Sequence, residues 1–339
     1  MRKITTVLLT ALILLSPIGA LASETEESTH IKWVEFNVPY SALVKALDYD
    51  IESHGSDIHL DWIKLLAVTA AKYGGEWSRY KKKDLDDLAA RLLAGERLEE
   101  ITFDLTHYAY YLEAYSAVLS EFVGLYKVEV PLADAENPEE EKVWEGRYGL
   151  KAFHPLAAGF GYGHFDDFDA GRSYGYKRRH LGHDMFGSVG TPVIAVESGI
   201  VEILGWNQYG GWRIGIRSFD GLRYYYYAHL RQNRPFHPDV EEGAIVKAGD
   251  VIGYMGRTGY SQKENTNGIR EPHLHWGMQL IFHPEQKEGP KEIWVDLYSI
   301  TRLLERNRSE TYRVAETKEF YRNYDFDEEN TANRKEIAP

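Results

Sequence analysis

A chain of 339 residues, 43% of them hydrophobic, has material for about two domains with cores of their own. Its formal net charge of -13 argues against nucleic acid or an anionic membrane as the main partner. It contains no cysteine, so no disulfide staples the fold, and a zinc ion would have to be held by His, Asp or Glu.

The chain opens on Met1-Arg2-Lys3, runs apolar from Ile4 to Leu15 and reaches Ser16-Pro17-Ile18-Gly19-Ala20-Leu21-Ala22. A basic start, a short apolar stretch and a small-residue ending form a cleavable secretory signal over residues 1–22, cut after Ala22. The rival reading is a membrane anchor, but the run is short of the roughly 20 residues a span needs, and no later segment is long enough. Export places the protein outside the cytoplasm, secreted or in the cell envelope. Loss of Arg2 and Lys3 takes the charge to about -15.

Residues 23–130 read as a helical domain. Apolar residues at helical spacing run from Leu60 to Ala71 and stop at Gly74-Gly75; a second set, Leu85 to Leu93, ends at Gly95. A third helix is expected from Leu105 to Val123, its tyrosines forming a core stripe rather than a ligand face. His54, His59 and His107 have no ligand spacing to one another. The Pro-, Ala- and acid-rich stretch 131–142 suits a linker.

Residues 143–303 change to short strands with Gly turns, including a hairpin around Asp220-Gly221. From 304 to 339 the polar, charged composition suggests a loosely packed tail. The fold class is therefore α+β, with helices first and a mostly antiparallel sheet after them.

The chemistry concentrates in the β-rich region. His180-Leu181-Gly182-His183-Asp184 precedes a strand, and His273-Leu274-His275 lies on one. Alternate side chains of a strand share a face, so His273 and His275 point the same way, about 7 Å apart. An HxxxD pair with an HxH pair offers the three protein ligands of a catalytic zinc, leaving a fourth position for water. Strand geometry alone does not say which member of HxH is the ligand.

Six segments resemble the lysostaphin-type zinc metallopeptidases, the glycyl-glycine endopeptidases that cut peptidoglycan cross-bridges. They are HLGHD (180–184), GTPVIAVESGIV (190–201), GWNQYGG (205–211), YYAHL (226–230), VKAGDVIGYMGRTG (246–259) and PHLHW (272–276), in the family's order and over less than half the chain. The resemblance implies an antiparallel sheet with a narrow groove and one Zn2+ on its floor, held by His180, Asp184 and His275. It implies that His229 and His273 are catalytic histidines near the metal-activated water, and that Tyr174 helps stabilise the tetrahedral intermediate, with Tyr176 a close neighbour. The implied function is a secreted zinc endopeptidase acting on peptidoglycan stems or cross-bridges.

Two other functions stay in view. Some relatives have lost metal ligands and instead activate other wall hydrolases, but every ligand position is filled here. A zinc D-alanyl-D-alanine carboxypeptidase shares the HxH logic, yet its S-x-H-x-x-G-x-A-x-D pattern is absent around His180. His183 reads as a bystander or support rather than a ligand, and His164, Asp166, Asp167 and Asp169 as a solvated loop bordering the groove. Lys177-Arg178-Arg179 is a solvated charge run able to attract a peptide carboxylate, and one of Tyr224 to Tyr227 is expected to line the groove. The helical region carries no motif; it could dock at the wall, bind a protein partner or shield the groove.

Overall fold

The computed structural model describes residues 30–132, 141–174 and 176–328, leaving out the side chains of Tyr174 and Tyr176. The expected signal segment and most of the expected linker lie outside the described residues.

Helices occupy Tyr40–Ser53, Trp62–Tyr73, Lys82–Leu93, Leu98–Thr102 and Tyr108–Leu119. Their ends follow local chemistry. The Asp61 carboxylate accepts from the Lys64 amide at 3.0 Å to start the second helix, and Gly74, at φ +60°, closes it in the left-handed conformation that glycine adopts without strain. The tyrosine stripe of Tyr108–Leu119 is core, as its spacing predicts: Tyr115 is buried and accepts from Trp77 Nε1 at 2.9 Å.

The central sheet has eight strands, all paired antiparallel. Its order runs Ile245–Val246, Gly199–Asn207, Gly211–Ser218, Arg223–Ala228, His273–Leu280, His183–Phe186, Gly163–His164, with Ile293–Trp294 pairing onto the end of His273–Leu280. Register fixes what each face carries, because side chains of paired residues stand on the same side. On one face Asp184 pairs with His275 and His275 with Ala228; farther along, Gly277 pairs with Tyr226, Gln279 with Tyr224, and Tyr224 with Arg217. On the other face stand Met185, Leu274, Trp276, Met278, Tyr225, Tyr227, Ile214 and Ile216, all buried. One residue of slip would exchange the two sets, so the alternation that buries the core also presents the groove.

The helices cover the apolar face. Leu43, Leu66, Tyr115 and Phe122 belong to the same hydrophobic cluster as Tyr225, Tyr227 and Trp276. The helical and β-rich regions therefore share one core, and the chain from Ile31 onward forms one compact unit. Arg223 ties them further. Fully buried, it donates from Nε to Glu197 Oε2 at 2.8 Å, from Nη2 to Glu197 Oε1 at 3.1 Å and to Asp220 Oδ2 at 2.8 Å, and from Nη1 to the Ala117 carbonyl at 2.8 Å.

The tail expectation needs correction. Tyr298–Leu304 is a helix, Thr311–Arg313 and Phe320–Arg322 form a hairpin, and Phe326–Asp327 pairs with Val123–Pro131. Phe326 is buried against the rings of Tyr126 and Phe153, and Arg322 pairs with Asp250 at 2.9 Å. Several charges of 304–328 are matched to partners, Arg306 with Asp48 and Arg322 with Asp250 among them, and aromatic anchors such as Phe326 hold the segment down. Residues 329–339 lie outside the described residues.

Candidate active site

Three donor atoms converge on the groove floor. His180 Nε2 lies 3.0 Å from Asp184 Oδ1 and 3.1 Å from His275 Nδ1, and His275 Nδ1 lies 2.9 Å from Asp184 Oδ1. Tetrahedral zinc with bonds of about 2.0–2.1 Å would set such donors about 3.3 Å apart, so the triangle has the size the ion requires. Two imidazole nitrogens and a carboxylate facing one another are the right donors for such a cation. Among the described residues this is the one group of three His, Cys, Asp or Glu side chains so arranged.

The surroundings keep the donors ready. Burial pushes the Asp184 carboxyl up, but hydrogen bonds from His180 and His275 and the nearby His273 outweigh it and hold the group well below the usual range, ionised. His180 Nδ1–H donates to Asp167, 3.1 Å from Oδ1 and 3.2 Å from the carbonyl, which leaves Nε2 as the donor atom. Arg172 bonds to Asp167 and lies 3.5 Å from Asp184. Gly182 is required by close approach: a Cβ there would lie 2.5 Å from the His275 ring.

His229 and His273 flank the triad with ring centroids 4.7 Å apart. Each Nδ1–H is taken by a backbone carbonyl, His229 to Thr258 at 2.9 Å and His273 to Glu271 at 2.8 Å, leaving each Nε2 with its lone pair. His273 Nε2 is 3.8 Å from Asp184 Oδ1. Burial, then the interactions with His273 and His275, hold His229 well below its ordinary pKa, so it is neutral near pH 7. His229 also has φ +62°, a left-handed conformation uncommon for a residue with a Cβ, and its backbone N–H donates to the Gly210 carbonyl at 2.7 Å.

The groove encloses about 440 Å³, and all five of these residues line it. Its walls carry Tyr209, Tyr226, Tyr260 and Trp294; all the lining residues lie between Arg172 and Trp294. The helices thus cover the back of the sheet, and no described residue of theirs shields the groove. Tyr174 ends the strand Gly171–Tyr174, whose hairpin partner Tyr176–Arg179 contributes Arg178 and Arg179 to the wall; the Tyr174 side chain lies outside the described residues.

His183, one residue from Asp184, points to the opposite face. It is buried, bonds to His164 at 2.9 Å and is pushed down to about 3, first by burial and then by His164. Of the tyrosine run, Tyr225 and Tyr227 are core while Tyr224 and Tyr226 line the groove. Sequence reasoning missed the support given by Asp167 and Arg172, since neither stands at a telling distance from His180 along the chain. The loop read as merely solvated in fact orients a metal-ligand candidate.

An antiparallel sheet that offers His, Asp and His donors on a groove floor beside two further histidines defines a domain of metallopeptidase type. Residues 178–287 match Peptidase family M23, so the chain carries a Peptidase M23 domain. An L-Ala–D-Glu endopeptidase of Bacillus subtilis (strain 168) is 42% identical over 130 residues, 38% of this chain and 38% of its own length. Lysostaphin of Staphylococcus staphylolyticus is 41% identical over 98 residues, 29% of this chain and 18% of its own. The chain thus spans well under half of these relatives. A Ruminococcus gnavus structure, assigned as a glycyl-glycine endopeptidase lytM, aligns over 83% of this chain and 92% of its own at 25% identity, with a TM-score of 0.51. Among the described residues no helix is long and apolar enough to cross a membrane.

Proposed function

We propose that the protein is an exported, zinc-dependent endopeptidase that hydrolyses peptide bonds of bacterial peptidoglycan. The observation that carries this reading is the convergence of His180 Nε2, Asp184 Oδ1 and His275 Nδ1 on a groove floor with His229 and His273 beside them. The names of the similar proteins, an L-Ala–D-Glu endopeptidase and a lysostaphin, support this reading. Export rests on the leader pattern of residues 1–22.

Zinc held by His180, Asp184 and His275 supplies Lewis-acid activation of water and of the scissile carbonyl. The rest is the work of the chain. The groove aligns an extended peptide along the sheet face. His229 or His273 accepts the water proton at Nε2, and the imidazolium so formed donates a hydrogen bond to the developing oxyanion or a proton to the departing amine. The carbonyls of Thr258 and Glu271 keep both rings in the tautomer this requires. Tyr174 is assigned a share of oxyanion stabilisation.

The test is to incubate the protein and a His275→Ala variant with peptidoglycan from several sources, and to analyse released fragments by mass spectrometry. The expected result is new amine and carboxyl ends from the parent, a loss of at least about 10³-fold in the variant, and loss in chelator restored by zinc. Zinc retained without cleavage of any wall would overturn the enzymatic reading.

A further inference from the structure

Six cationic side chains line the groove: Arg172, Arg178, Arg179, Arg213, Arg217 and Lys287. Four have carboxylate partners within the protein. Arg172 pairs with Asp167, Arg179 with Asp169 at 3.0 Å, and Arg217 and Lys287 share Glu202, Arg217 at 2.9 Å. Arg178 and Arg213 have none among the described residues. Both also carry a buried Nε–H with no hydrogen-bond partner. A desolvated guanidinium donor left unmatched is costly, and two of them lining one groove is an arrangement that a bound anion would complete.

Their placement relates that anion to the reaction centre. Arg178 is held over the rings of Tyr260 and Tyr209, 5.0 and 5.5 Å from their centroids, and donates to the Tyr260 hydroxyl. The Tyr260 ring is 5.9 Å from that of His229. Arg213 hydrogen-bonds Tyr226, whose ring is 5.9 Å from that of His275. Each guanidinium is therefore one aromatic ring away from the residues that bind or move atoms in the reaction. Of the two glutamates that also line the groove, Glu288 and Glu292, the latter accepts from Trp294 Nε1 at 2.8 Å and the Gly289 amide at 3.1 Å.

We propose that Arg178 and Arg213 form a carboxylate-binding subsite, and that the substrate is a peptide bearing a free carboxylate on a residue adjoining the scissile bond rather than an uncharged glycine bridge. The planar guanidinium fork matches a carboxylate by two parallel hydrogen bonds, and a carboxylate is the anion a stem peptide carries. The proposal rests on the endopeptidase reading and adds a specificity to it.

The test compares three C-terminally amidated probes. One is L-alanyl-D-glutamyl-L-lysine joined through the glutamyl γ-carboxyl, so that the α-carboxylate is free; the second carries the α-carboxamide; the third is pentaglycine. The parent protein should cleave the acid about 10- to 100-fold more efficiently than the amide. Arg213→Gln and Arg178→Gln should erase that preference through a raised KM for the acid, leaving the amide within about threefold, and Arg213→Lys should keep part of it. Binding of acid and amide to the His273→Ala protein, followed by calorimetry, reads the subsite without turnover. Equal handling of acid and amide, a preference for pentaglycine, or equal losses on both probes in the variants would overturn the subsite while leaving the peptidase standing. Arg-dependent binding of the acid with no probe and no wall cut would do the reverse.

Discussion

Two arginines on neighbouring strands carry the contrast between the faces of the central sheet. Arg223, on the covered side, is wholly buried, and Glu197, Asp220 and the Ala117 carbonyl take up its donors. Arg213, on the groove side, is half-buried, has no carboxylate partner among the described residues and leaves its Nε–H unmatched. The same side-chain type serves cohesion on one face and recognition on the other, and the difference lies in whether the protein or a ligand completes the hydrogen bonds. A site that must bind something is less than fully satisfied without it, and the fold tolerates this because its stability is secured elsewhere.

The sharpest way to break that comparison is to remove each arginine in turn. Arg223→Met leaves the buried Glu197 carboxylate unpaired and should cost about 3–5 kcal/mol of unfolding free energy. Arg213→Met removes a cation that no carboxylate among the described residues answers, and should change stability by no more than about 1 kcal/mol. Denaturant melts of both variants against the parent check this. Equal destabilisation would mean that Arg213 is structural, and would dissolve the contrast. A double variant, Arg223→Met with Glu197→Leu, should recover part of the loss because no buried charge is then stranded.

A buried histidine on the covered side gives a second probe, through pH. His154 is enclosed among the Leu156 carbonyl, Tyr162 and Glu305, and its pKa is lowered to about 4, chiefly by burial. Its folded value lies below the 6.5 of the free side chain, so above pH 6.5 both states are neutral and the full contribution is present. As pH falls from 6.5 toward 4 the unfolded chain takes up the proton first, and up to about 3 kcal/mol of stability is lost across that window. His154→Gln should flatten this part of the stability–pH curve. An unchanged slope would assign the acid sensitivity to other groups.

Much of this was legible in the sequence, and the parts that were not share a physical cause. The HLGHD and PHLHW segments offered His180, Asp184 and an HxH pair as candidate ligands, the resemblance to the lysostaphin-type peptidases rather than strand geometry chose His275 from that pair, and the helix-then-sheet order followed from the change of hydrophobic period. The tail was misread because paired charges, as in Arg322 with Asp250, look like solvated charges until the partner is known. Arg223 and Glu197 were invisible for the same reason: a buried ion pair has no one-dimensional signature. The shared core of the helical and β-rich regions also depends on contacts between residues distant along the chain.

Asp167 exposes that limit most directly, since it stands in an acid-rich loop where its neighbours Asp166 and Asp169 are equal candidates by sequence. In the fold it alone accepts from His180 Nδ1–H, while Asp169 turns to Arg179. Asp167→Asn preserves the shape and a carbonyl acceptor but loses the charge that strengthens the imidazole as a donor. Zinc affinity, measured by competition with a chromogenic chelator, should fall about 10- to 100-fold, whereas Asp166→Asn should leave it unchanged. The thermal midpoint of the zinc-free protein should barely move in either variant, because the effect belongs to the ligand set and not to the core. If Asp166→Asn weakened zinc as much as Asp167→Asn, the loop would act only through its summed charge. The orientation of His180 would then have to come from the backbone carbonyl of Asp167 alone.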